Sequence, residues 1–135
     1  MTPEETSRTQ RPALVVFAQT TLLLESLATF FAMLVTWGLG RADVVDVSAG
    51  PVWLVGSALA AAFAFASGRA NTRWGRILGW VLHAPLIAGG LWVPAIAFVG
   101  IMFLGIYALG VRLGARIDRE RAQHAANGAT REGTM

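Results

Sequence analysis

Cysteine and lysine are both absent from this chain of 135 residues. Without cysteine there is no disulfide, no thiolate nucleophile and no soft-metal site, and nothing is learned about compartment. Without lysine all 11 basic residues are arginine, and the sequence pI near 11.0 reflects arginine alone. Charge of either sign is scarce: 14% of residues are Asp, Glu or Arg, against roughly 25% charged in a soluble domain. Those few charges fall in four short stretches separated by long apolar runs, and 55% of the chain is hydrophobic. That is a membrane pattern, so the arginine blocks read as juxtamembrane features and not as a nucleic-acid surface. No nucleophile–base pair, metal-ligand cluster or phosphate-cradling glycine loop is visible. The expectation is therefore a non-enzymatic protein without cofactor or metal, with no nucleic-acid partner.

A chain of this length makes one domain. Arg8 and Arg11 precede an apolar stretch as in a secretory signal, but 13–37 far exceeds the ~7–15 residue apolar core of such a signal. It reads as a retained span. Four segments approach the ~20 apolar residues that cross a bilayer as a helix: 13–37, 51–67, 75–93 and 94–113. Gly38 and Gly40 are expected to close the first, and Pro51 to lie in the first turn of the second. Gly68 and Thr72 read as a C-cap and an N-cap. Between the third and fourth spans, Gly89 to Pro94 leaves room only for a tight reversal, which makes those helices antiparallel neighbours. The expected fold is thus an all-α four-transmembrane-helix bundle over 13–114. It is flanked by a cytoplasmic N-terminal segment, 1–12, and a cytoplasmic charged tail, 115–135, that is partly disordered. Within the tail, 115–126 continues the fourth helix and 127–135 has too little apolar surface to fold.

Charge parity supports the weakest span, the alanine-rich second. With four crossings, Arg8, Arg11, Arg69, Arg73, Arg76, Arg112, Arg116, Arg119, Arg121 and Arg131 share one side, and only Arg41 lies opposite, beside Asp43 and Asp46. The positive-inside rule then puts both termini in the cytoplasm of a bacterial cell membrane. Trp37, Trp53, Trp74 and Trp92 lie near span ends, as interfacial aromatics do.

One carboxylate interrupts the first apolar run, in TLLLESLATFF. At 100° per residue, the face centred on Glu25 carries Ala18, Thr21, Ala28, Thr29, Ala32 and Thr36, with Leu22 as its bulky member. Leu23, Leu27, Phe30, Phe31 and Leu34 fill the opposite arc. Small and hydroxyl residues favour close helix packing, so the Glu25 face points into the bundle. His83 is central in the third span, which runs the same way, and lies on a face with Gly79 and Gly90. A carboxylate in hydrocarbon must be protonated, paired or wetted. Two readings stand: Glu25 bonded to His83 or to Thr21 or Thr29 as a fastening between helices, or Glu25 as a proton-titrating site of a small homodimeric proton-coupled transporter.

Gly75 and Gly79, and Gly110 and Gly114, have the four-residue spacing that lets membrane helices approach, and Gly90 is a further packing candidate. Pro85 removes a helical donor from Val81 and either kinks the third helix or is absorbed by packing. Arg112, Arg116, Arg119 and Arg121 either contact anionic lipid or only set topology. The lipid bilayer is the one partner the pattern implies directly; a protein partner or a second copy is compatible with it.

The acid in LLLESLA, the block RWGRILGWVLHAPLIAGGLWVP from Arg73 to Pro94, and the closing GIYALGVRLGARID from Gly105 to Asp118 resemble an actinobacterial membrane-protein family. It is catalogued as domain of unknown function 4233, and the resemblance covers roughly residues 11–121. It implies a multi-pass membrane protein and no established activity. It also implies glutamine in many members where this chain has His83, which would remove a titrating group from that position.

Overall fold

The computed structural model describes residues 11–132, so most of the expected 1–12 segment, with Arg8, and the last residues of the tail lie outside the described residues. Four helices follow one another: α1 (Ala13–Arg41), α2 (Ala49–Gly68), α3 (Arg73–Ala88) and α4 (Pro94–Glu132), with a single 3-10 turn, Gly89–Leu91, before α4. No strand occurs among the described residues. Three helices, α1, α2 and α4, are long and apolar enough to cross a membrane. Helix is the economical choice there, because it satisfies every backbone donor and acceptor within the segment.

Successive helices run antiparallel. On the α1–α2 seam, Ser26 Oγ donates to the Ala60 carbonyl (2.8 Å) and Ser67 Oγ to the Gln19 carbonyl (2.9 Å). Met33 lies against Gly56, and the rings of Trp37 and Trp53 meet edge-on at 6.0 Å. On the α1–α4 seam, Gly114 packs on the backbone of Leu14, and Gly110 faces Phe17 and Thr21. Gly90 takes the Ala97 methyl, and Gly75 sits on the Arg69 carbonyl across the α2–α3 turn. The core between the four helices consists of Ala18, Leu22, Phe63, Ala66, Ala70, Leu82, Leu86 and Tyr107. Outside it, Leu23, Leu54, Val81 and Phe98 all stay more than half exposed. An apolar exterior on every helix is what lipid, not water, accommodates.

The helix limits differ from expectation in instructive ways. Gly38 and Gly40 do not end α1, which runs on to Arg41. The stop comes at Asp43, the one non-glycine residue with positive φ (56°) among the described residues. There the Asp43 N–H donates to the Gly40 carbonyl and the Val44 N–H to the Leu39 carbonyl, a Schellman closure with aspartate in the usual glycine place. Gly68 is likewise the last residue of α2 and not a left-handed cap. Thr72 does cap α3, its Oγ1 accepting from the Gly75 N–H at 3.0 Å.

The largest correction concerns the tail. The stretch from Asn127, expected to be disordered, is helical through Glu132. Extending an existing helix fixes one residue per hydrogen bond gained and avoids the cost of a new nucleus. At 39 residues, α4 is about 58 Å long, roughly twice the thickness of a hydrocarbon core.

That overhang has a structural use. The residue before α1 is Pro12, which has no side-chain cap to offer, so the first amides of α1 have no local acceptor. Asp118, on the far part of α4, accepts from both: Ala13 N–H at 2.7 Å to Oδ1 and Leu14 N–H at 3.1 Å to Oδ2. The Val15 and Val16 amides turn to the Pro12 carbonyl, which completes the first turn. Asp118→Ala should lower the thermal stability of the purified protein by about 1 kcal/mol, the usual cost of a lost N-cap. Asp118→Asn should lose less, since one carbonyl oxygen still accepts. Thermal unfolding in detergent measures both.

Candidate functional site

α1 and α3 are parallel, and each delivers one polar side chain to the same depth. Glu25 is twelve residues into α1 and His83 ten into α3, about 18 and 15 Å from their helix starts. Glu25 Oε1 and His83 Nε2 lie 2.6 Å apart. Both residues are sealed from solvent, with relative exposures of 0% and 1%.

The helix around His83 fixes its chemistry. Nδ1 is 2.7 Å from the Gly79 carbonyl one turn back, and a carbonyl only accepts, so Nδ1 carries a hydrogen and donates. Nε2 then shares a single proton with Glu25, as carboxylic acid and imidazole or as carboxylate and imidazolium. Either way the pair is net neutral, which suits hydrocarbon. The contact is short but poorly aligned: neither Oε1 nor Nε2 has a regular hydrogen bond. The ring itself is boxed in. Phe63 meets it edge-on at 5.8 Å and Tyr107 lies at 5.6 Å. Tyr107 is also fully buried, and its hydroxyl donates to the Arg76 carbonyl at 3.1 Å.

The other site candidates separate. Thr29, one turn along from Glu25, is buried, and its Oγ1 has no hydrogen-bond partner among the described residues; Glu25 Oε2 is in the same condition. Thr21 is buried on the α4 seam beside Gly110. Gly79 faces Tyr107 and Leu22, whereas Gly90 serves the α4 contact and does not flank His83. Arg112, Arg116 and Arg119 are exposed or lie at the surface of α4, and Arg116 Nε donates to Glu120 at 2.8 Å. Glu120 beside it raises the Arg116 guanidinium pKa above its usual value. Pro85 remains inside α3. Two ligating side chains fall short of the three or four a resident zinc takes, and no group of three His, Cys, Asp or Glu residues comes together among the described residues.

Sequence reasoning misses what lies beside the pair. A cavity of about 540 Å³ opens between α2 and α3, and one of about 340 Å³ between α1 and α4. Their walls share Thr29, Ala32, Thr36, Leu86, Val93 and Ile96, and Glu25 borders the smaller one. Both lie toward the Asp43 end; at the other end α1 and α4 close on Gly114 and the Asp118 clasp. Small side chains along α1 signal close packing, and here they border space instead.

If Nε2 is an acceptor in the neutral pair, a glutamine amide at position 25 serves it as well as the acid does. Glu25→Gln should leave thermal stability in detergent nearly unchanged. Glu25→Leu strands Nε2 and should cost about 0.6 kcal/mol, the average for an interhelical hydrogen bond in a membrane host. A drop with Gln as large as with Leu would show that the pair is held by charge.

Comparison with curated proteins and with solved structures returns no match. Residues 16–123 match the model of the family described as "Protein of unknown function (DUF4233)". That match spans most of the chain, from the start of α1 to the overhang of α4, and the protein belongs to this family.

Proposed function

We propose that this protein is a four-span component of the bacterial cytoplasmic membrane with both termini inside, serving a non-enzymatic structural, accessory or assembly role. The observation that carries the role is the enclosure of Glu25 and His83. Each faces the other helix and not the solvent, and one His83 nitrogen is already committed to a carbonyl. Such a pair fastens α1 to α3 and leaves no free base for chemistry. For the fourth span, α3 with its 3-10 turn covers 16 and 3 residues, about 30 Å in all, which matches a hydrocarbon core. The antiparallel order gathers Arg11, Arg69, Arg73, Arg76, Arg112 and Arg116 at one end, with Arg41, Asp43 and Asp46 at the other. The positive-inside rule assigns the first end to the cytoplasm.

One observation favours a second reading, a proton-coupled transporter working as a homodimer through Glu25: the cavity that borders this residue lies to one side of it only. Affinity purification from native membranes separates the two. A stoichiometric protein partner supports the accessory role. Isolation as a self-dimer, with a flux that Glu25→Gln abolishes, supports transport.

Topology is tested independently. Reporter fusions after Ala42 and after Asn71 should report opposite sides of the membrane, the first outside and the second inside. The same side for both would reduce the bundle to fewer crossings.

A further inference from the structure

The two cavities hold most of the unassigned chemistry of the molecule. Their walls are overwhelmingly apolar, and their combined reach connects the α2–α3 seam to the α1–α4 seam through the six residues they share. Val55 and Ala88 edge the first opening, and Phe31 and Val99 the second. In a bilayer both seams face acyl chains, so a lipophilic molecule enters from the membrane without crossing water. At about 540 Å³, the larger space falls within the ~300–1,000 Å³ typical of small-molecule sites.

One ionisable group near this space, His83, is already matched to Glu25 within a net-neutral pair. The two that border the space itself are acids: Asp46 at the mouth, on the α1–α2 connection, and Glu25 at the floor. Arg41, the basic residue at this end, is drawn off over the Trp37 ring, 5.4 Å from its centroid. The floor also holds two buried oxygens without a partner, Glu25 Oε2 and Thr29 Oγ1. Glu25 borders the smaller cavity from just beneath its surface, at 0% exposure. A polar oxygen left unpaired in an apolar interior is unfavourable. Glu25 Oε2 can only accept while the shared proton lies between Oε1 and Nε2, and Thr29 Oγ1 can accept or donate, so a ligand that donates hydrogen bonds satisfies both and an anion leaves Oε2 unpaired.

We propose that this chamber is a binding site for a lipophilic primary amine, its apolar body between the seams and its ammonium group against Glu25 Oε2 and Thr29 Oγ1. The ammonium supplies a donor to each of these oxygens, and its charge is opposite to that of Asp46 at the mouth. Binding requires neither a partner protein nor a particular membrane orientation, so it stands apart from the accessory role.

The test is calorimetric titration of the full-length protein in lipid nanodiscs, with empty discs subtracted, using octylammonium, 1-octanol and octanoate as probes. Octylammonium should bind saturably and at least ten-fold more tightly than octanol, with octanoate not binding. Thr29→Val should weaken octylammonium several-fold and Glu25→Gln at least ten-fold, while octanol is unaffected. Ala32→Trp, which fills the shared wall, should abolish binding of both while the protein still elutes as a folded species. Equal affinity for octylammonium and octanol would overturn the proposal and leave an apolar crevice for acyl chains. So would octylammonium binding that survives Ala32→Trp. Should Glu25→Gln fail to fold, the comparison of probes on the unmodified protein and the Ala32→Trp result still decide.

Discussion

His83 can reach Glu25 because the residue one turn before it has no side chain. Gly79 contributes twice. Its carbonyl holds His83 Nδ1, and its bare Cα lets α3 settle against Tyr107 and Leu22. A methyl group there would stand 2.8 Å from the Tyr107 hydroxyl and 3.0 Å from Leu22 Cδ2, closer than packed atoms tolerate. Relieving that clash means displacing the Leu22 and Tyr107 side chains or α3 itself, and both side chains are fully buried. The His83 ring and the tyrosine anchor on the Arg76 carbonyl both border this one approach.

Several other polar groups follow the rule that governs a chain in lipid, finding their partners inside the protein. Serine hydroxyls on the α1–α2 seam donate to carbonyls across the interface, Tyr107 does so between α4 and α3, and Thr36 turns back to the Ala32 carbonyl. Thr29 and the outer oxygen of Glu25 break the rule. Both stand where the helices part and the interior is empty, so the exception and the cavity share one cause.

Much of this is legible from residue type and spacing, because helical periodicity places side chains on faces without knowledge of the fold. The row of small and hydroxyl residues around Glu25 marks an inward face, and equal depth links it to His83 in a parallel helix. Met33 shows the limit of that logic. A large residue on the inner face of α1, it is buried because Gly56 opposite makes room, and only the pairing of two helices reveals such a match. Asp43 is a second case, since aspartate as a helix terminator in left-handed conformation carries weaker local signal than the glycines before it. Asp118 is the clearest miss. In an arginine-rich tail an aspartate reads as one more solvated charge, and its two acceptors matter only to amides more than a hundred residues away.

That separation has a consequence for how the protein is made. α1 leaves the ribosome before α2, α3 and α4, and its leading turn has no side-chain cap from Pro12. The carboxylate that supplies one is synthesised only after α2, α3 and the apolar part of α4. Until then the Ala13 and Leu14 amides lack that acceptor, and water is the group that can serve open amides at a helix start. When α4 emerges, Asp118 accepts from both amides and ties α1 to α4.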